Sequence, residues 1–308
     1  MSATRTSPSP ARTPLNGTAL LVVAGVLWGA GGLAGSYLAD RAGLGPVAVA
    51  AYRLLCGGTL IVLYAMATGT RPAGAGRAVW LRVGFSGLLL ATFQAAYFAA
   101  VVATSVGLAT LTTMVAAPVM ITAGAALLDR RLPDARTAGA VALAVVGLFL
   151  LLGGDDVPGG PVLAGTALAL LAAASFATFS LWFARRTTPA NAADLGLGFL
   201  TGGLVLLPSA AASGMTLPLR PDAVGALAFL VLLPTAVAYV AYFTALRVVR
   251  PTAAVIGVLL EPLTATVLSV AFAGERLATA QVCGAVVVLA SIAFQSSGPR
   301  PERPAVSG

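Results

Sequence analysis

The chain has 308 residues, 58% of them hydrophobic and only 9% charged, with a mean hydropathy of +0.95. A soluble domain carries about a quarter charged residues, so a water-soluble globule is excluded and the chain reads as an all-α integral membrane protein. The net charge of +8 comes entirely from arginine, and the arginines fall between apolar runs, so they speak for topology and not for nucleic acid.

A hydrocarbon core of about 30 Å needs about 20 apolar residues of helix. Runs of that kind predict ten helices, at 17–38, 46–67, 82–103, 106–128, 136–152, 162–184, 192–212, 223–246, 252–273 and 278–296. Residues 1–16 and 297–308 read as tails, and 153–161 as an outer linker between two five-helix blocks, 17–152 and 162–296.

The first helix reads "GVLWGAGGLAG". Gly25/Gly29 and Gly31/Gly35 are small-xxx-small pairs that let helices approach closely. Trp28 is either a cavity aromatic or a core residue. The second helix holds Arg53, whose head could snorkel outward, bind carbonyls or attract an anionic group. The third carries Gln94 and Tyr97 on one face, and almost nothing separates it from the fourth, which predicts a tight hairpin. Pro118 falls near the middle of the fourth helix, and the fifth is short.

In the eighth helix Pro234 is near mid-span, with Thr235, Tyr239 and Tyr242 on one face. The ninth holds Glu261 about ten residues in, roughly 15 Å deep at 1.5 Å per residue. Pro262 follows it and predicts a kink against the carbonyl of Val258. Gly257, Glu261 and Thr264 share a helical face by their spacing, a plausible cavity wall. An ionisable group at bilayer depth costs at least ~2.5–3.5 kcal/mol. Glu261 therefore reads either as a functional group or as a buried partner of a hydroxyl or of Arg53.

Ten helices with both ends cytoplasmic put fourteen arginines inside and three outside, Arg41, Arg220 and Arg276, with Arg53 in a span. The inside set includes Arg82. That asymmetry is the positive-inside pattern. The chain also repeats itself at an offset of 145 residues: Tyr97-Phe98 recurs as Tyr242-Phe243, Leu132 as Leu277 and Gly139 as Gly284. Two joined blocks of five helices each must lie oppositely in the membrane, the inverted-repeat plan of many secondary transporters. The same offset carries Gln94 and Tyr97 onto Tyr239 and Tyr242, so the polar stripe occurs in both halves.

Histidine is absent, which excludes an imidazole metal site or histidine relay, and Cys56 and Cys283 read as packing residues within spans. No nucleotide loop, nucleophile–base pair or cofactor motif is present, and "GGDDVPGG" is too loose for a cation site. The expectation is a protein that is not an enzyme and uses no cofactor or metal.

Several stretches carry a family resemblance: "LWGAGG", "AYRLL" around Arg53, "AAPVMITAGAALLDRRL", "LLEPLTATVLSVAFAGERL" and "GAVVVLA". In their order and spacing the chain resembles the EamA-type, ten-helix members of the drug/metabolite transporter superfamily over its whole length. It departs where the first half ends in "DRRL" and the second in "GERL", so Arg130 stands opposite Glu275, here a helix-end residue. The resemblance implies a carrier of the bacterial inner membrane, often an exporter of amino acids, other metabolites or toxic compounds, with a cavity between the halves. The expected partners are a small amphipathic solute and the lipid bilayer, with protons as a coupling ion or, equally compatible, passive facilitated transport without one, and with a homodimer compatible. A non-transporting membrane scaffold or sensor is the alternative, which the paired polar stripes disfavour.

Overall fold

The computed structural model describes residues 14–72, 74, 76–130, 132–152, 160–184, 191–245, 254–274 and 278–296. Among these residues the regular structure is helical throughout: α1 (Pro14–Ala42), α2 (Pro46–Ala67), α3 (Arg77–Ala103), α4 (Val106–Asp129), α5 (Ala135–Leu152), α6 (Gly160–Ala184) and α7 (Ala192–Ala212) come first. Then Pro221–Val231 continues through a π-helical turn, Leu232–Val237, into Ala238–Ala245, together called α8. Ala254–Phe272 is α9 and Thr279–Ser296 is α10. The tails to residue 13 and from 297, the linker at 153–159, and Glu275 lie outside the described residues.

Seven of these helices, α1 to α4 and α6 to α8, are long and apolar enough to cross a membrane. The shorter apolar stretches are Ala135–Gly147, Leu260–Phe272 and Thr279–Ser291, in α5, α9 and α10. The protein is thus a multi-pass membrane protein. Helices form because a backbone in hydrocarbon must satisfy its own hydrogen bonds.

Their ends are set by local chemistry. Pro46 and Pro221 open α2 and α8 in the first turn, where a missing N–H leaves nothing unpaired. The Ser105 hydroxyl accepts the Leu108 N–H at 3.1 Å to start α4 two residues after α3 ends, the expected tight hairpin. Asp134 accepts the Thr137 N–H at 2.7 Å before α5, a bond that holds its carboxyl below the usual range. Asn191 and Asp194 form a reciprocal capping box at α7.

The helices have no apolar stripe, so small residues decide which faces meet. The pairings are α1 against α8 and α9, α6 against α3 and α4, α2 against α7, and α5 against α10. Gly58, Gly196 and Gly203 bring α2 against α7, and Gly147 brings α5 against α10. Gly29, Gly32 and Gly35 in α1 face Glu261 and Thr264, Tyr97, and Phe98 respectively. One end of the bundle is sealed by a continuous buried cluster including Leu38, Ala48, Ala51, Phe98, Val101, Val106 and Leu230.

At Gly29 an added Cβ would lie 2.5 Å from the Glu261 carbonyl oxygen and 2.6 Å from Thr264 Cβ, so α1 and α9 would have to part. Overpacking of this kind costs about 1–3 kcal/mol or more. Gly29→Leu should therefore lower the thermal unfolding midpoint in detergent by several degrees, at ~2–4 °C per kcal/mol for a chain this size. Gly84→Leu, whose added Cβ meets nothing within 4 Å, should leave that midpoint nearly unchanged.

One sequence expectation needs correction. Arg82, counted among the cytoplasmic loop arginines, lies inside α3, is 7% exposed, and donates from Nη2 to Asp194 Oδ1 of α7 at 2.8 Å. The α7 N-terminus faces the first turns of α3, so the guanidinium meets a carboxylate before it reaches a surface.

Candidate functional site

A cavity of about 310 Å3 lies in the middle of the bundle. It is lined by Trp28 and Gly32 of α1, Arg53 of α2, Leu90, Phe93, Gln94 and Tyr97 of α3, and Met114 of α4. Phe176, Phe179 and Ser180 of α6, Leu195 of α7, Tyr239 and Tyr242 of α8, and Glu261 of α9 complete it. Among the described residues, those of α5 and α10 contribute nothing to this lining.

Two aromatic walls face each other. On the α1/α8 side the Trp28 ring centroid lies 5.2 Å from that of Tyr239 and 5.0 Å from that of Tyr242, both rings steeply inclined. Phe199 of α7 backs Tyr239 edge-on at 5.2 Å. On the α3/α6 side Phe93 sits 5.5 Å from Phe176, with Tyr97 and Phe179 beyond. The Tyr97 hydroxyl shares a hydrogen bond with Thr110 Oγ1 at 2.7 Å, which holds the ring. The Trp28 indole N–H is buried without an acceptor among the described residues.

The π-helical turn in α8 explains the setting of Arg53. Pro234 has no N–H to give to the carbonyl of Leu230, four residues before it. The hydroxyl of Thr235 donates to that carbonyl at 2.8 Å. The same hydroxyl oxygen accepts Arg53 Nε at 3.1 Å, while Nη1 donates to Gln94 Oε1 at 3.2 Å and Nη2 reaches the Pro234 carbonyl at 3.5 Å. Arg53 is 6% exposed. It does not snorkel, and its fork ties α2 to α3 and α8. Gly31 and Gly57 make the space, since a Cβ there would meet the guanidinium or the Thr235 methyl.

Glu261 lines the cavity half-buried, and among the described residues its carboxylate accepts no hydrogen bond and touches no cation within ion-pair distance. It pairs neither with a hydroxyl nor with Arg53, whose head groups are engaged elsewhere. The other candidates divide. Gln94, Tyr97, Tyr239, Tyr242, Trp28 and Arg53 converge with Glu261 on one cavity. Thr235 is fully buried behind it, as the ligand of Arg53. Thr264 turns away, against Gly29 of α1. Gly257 lies one turn before Glu261 in α9, with its surroundings outside the described residues.

Of the three mid-helix prolines, only Pro234 coincides with a change of helical register; Pro118 and Pro262 lie within uninterrupted α-helix. Pro262 itself is buried. Sequence reasoning missed Phe93, Phe176, Phe179, Ser180, Met114, Leu90 and Leu195. In an apolar helix such residues look the same facing a cavity or facing lipid. The one usable signal is that Phe93 stands four residues before Tyr97, on its face.

The family model described as the EamA-like transporter family matches residues 15–153 and again 163–297. A Bacillus subtilis (strain 168) protein named uncharacterized transporter YwfM is 29% identical over 287 residues, covering 92% of this chain and 95% of that protein. A crystal structure of a protein 22% identical superposes with a TM-score of 0.63 over 93% of this chain and 99% of the other, a likeness of fold.

Proposed function

The chain belongs to the EamA-like transporter family, and from that premise we propose that it is a secondary carrier, working by alternating access on a small amphipathic solute bound in the central cavity. The observation that carries this reading is the convergence of Gln94 and Tyr97 with Tyr239 and Tyr242, residues 145 apart in sequence, on one cavity that also holds Arg53 and Glu261. A scaffold has no use for such a lining, and no catalytic constellation accompanies it among the described residues.

The architecture behind the proposal is ten spans in two inverted halves, α1 to α5 and α6 to α10. Three observations support it: the family model matches twice, the sequence repeats at an offset of 145, and the helix pairings exchange under that offset. Thus α1 against α8 and α9 mirrors α6 against α3 and α4, and α2 with α7 and α5 with α10 pair with their own counterparts. The arginine distribution supports cytoplasmic ends, and the family membership supports a bacterial inner membrane. In that orientation the buried cluster around Leu38, Phe98 and Val101 lies toward the outer end of the bundle.

A volume of about 310 Å3 is at the small end of ligand cavities, which run ~300–1,000 Å3. The cargo is accordingly of amino-acid or small-drug size, with an apolar body between the aromatic walls. Export is the working direction of this proposal, with protons as the coupling ion. The test is flux in sealed liposomes containing the purified protein, with pooled amino acids and cationic dyes under an imposed pH gradient. Saturable, protein-dependent flux of at least one pool is the expected result. Rates equal to those of empty vesicles for every pool would remove the carrier reading for these cargoes.

A further inference from the structure

A second cavity, of about 270 Å3, lies between α4, α5 and α10. It shares one wall residue with the central cavity, Met114. Its other walls are mostly apolar, including Val115, Ile121, Val141 and Val288. The Ser291 hydroxyl on its wall donates to the Val288 carbonyl at 2.7 Å, within its own helix. Thr122 adds a second hydroxyl to the lining, but most of it is apolar and suits hydrocarbon more than a buried water, which needs two to four polar partners.

Depth selects the occupant. Pro118, on the wall, stands twelve residues after Val106 at the start of α4, roughly 18 Å along the helix at 1.5 Å per residue. That is near the middle of a hydrocarbon core about 30 Å thick, where headgroups do not reach and acyl-chain ends do. Pro118 is itself exposed, so the cleft reaches the surface of the bundle at this depth. The volume exceeds the ~150 Å3 that holds a benzene ring in an apolar protein interior, so a chain end of several carbons fits. Left empty, the walls would lack their dispersion partners.

We propose that this cleft is a lipid acyl-chain site, in which one chain of a neighbouring phospholipid seats its terminal segment against Met114. The site does not depend on the carrier reading, but it adjoins the proposed cargo cavity through a single side chain. Met114 is a flexible partition, and Pro118 has no N–H for the carbonyl of Met114 four residues earlier. The helix therefore lacks a hydrogen bond where the two cavities adjoin.

The full chain in nanodiscs, with phosphatidylcholine carrying a diazirine near the end of one acyl chain, tests this by irradiation and peptide mapping. Adducts on Met114 are expected alongside those on exposed Phe149. Ala144→Trp, which fills the cleft from its α5 wall, should cut the Met114 adducts by about tenfold or more and leave those on Phe149. Ser291→Leu, from the α10 wall, should act alike and replaces it if that variant fails to fold. Met114→Ala should extend adducts to Phe93 or Phe176 in the central cavity. Absence of Met114 adducts in the wild type, or their survival in a folded cleft-filling variant, would overturn the site. Absence of central-cavity adducts in Met114→Ala would overturn the role of Met114 as the partition.

Discussion

Glu261→Gln should cut gradient-driven flux roughly ten- to a hundredfold while leaving the protein as stable as the wild type. The carboxylate has no hydrogen-bond donor or ion-pair partner among the described residues, so the amide, of the same shape, breaks no contact within the protein. An ionised group at this depth costs at least ~2.5–3.5 kcal/mol on insertion scales, and no hydrogen bond or ion-pair contact among the described residues offsets that. Under the proposed mechanism the offset comes from a proton or from a cationic group of the cargo during the cycle. Removing a hydrogen bond to a charged group is worth about 1.5–3 kcal/mol, so a fall in flux of roughly ten- to a hundredfold is expected. The measurement is flux in sealed liposomes at several imposed pH gradients, beside thermal unfolding of both forms. Unchanged flux with an unchanged pH response would make Glu261 a structural residue. A loss of flux accompanied by a fall in stability would point to misfolding and not to coupling.

The second large effect belongs to Arg82. Its guanidinium and the Asp194 carboxylate are both nearly inaccessible and 2.8 Å apart, joining α3 to α7. Breaking a buried pair from one side costs about 3–5 kcal/mol because the remaining charge is left uncompensated. Arg82→Leu should therefore sharply reduce the folded yield and the unfolding midpoint. The double variant Arg82→Leu with Asp194→Leu should recover most of that loss, since replacing both charges with apolar groups removes the desolvation penalty with the attraction. Asp194 also belongs to the capping box with Asn191, and loss of a cap costs ~1 kcal/mol, so recovery should be incomplete. Thermal unfolding of the wild type and the two variants decides it: a double variant no more stable than Arg82→Leu alone would mean that the pair contributes through packing and not through charge.

Much of the candidate site is legible in the sequence. Gln94, Tyr97, Tyr239 and Tyr242 are readable because polar groups facing lipid go unsatisfied, and the offset of 145 brings them together. Arg53 and Glu261 stand out as charges deep in apolar runs. Their relation is not legible. The clamp on Arg53 depends on a π-helical turn that frees backbone carbonyls in α8, and the bond from Thr235 crosses 182 residues of sequence. Thr264 has the right spacing to share the Glu261 face, yet the close approach permitted by Gly29 turns it into a packing residue. Arg82 sits at a helix edge, where snorkelling to a surface and burial against a partner read identically; Asp194, 112 residues away, makes the difference.

The membrane character and the helices follow from the order of residues alone. Hydrocarbon obliges each crossing segment to close its own backbone hydrogen bonds within about 20 residues, a local requirement that composition and length satisfy or fail. Packing in three dimensions was needed to establish which faces line the cavity, why Glu261 stands without a described partner, and that Phe93, Phe176, Phe179 and Met114 belong to the lining. Lipid tails are as apolar as leucine, and that is the cause of the division. Without water on one side, an apolar helix shows no stripe that separates inside from outside, and the glycines and long-range hydrogen bonds that do separate them act between segments far apart in the chain.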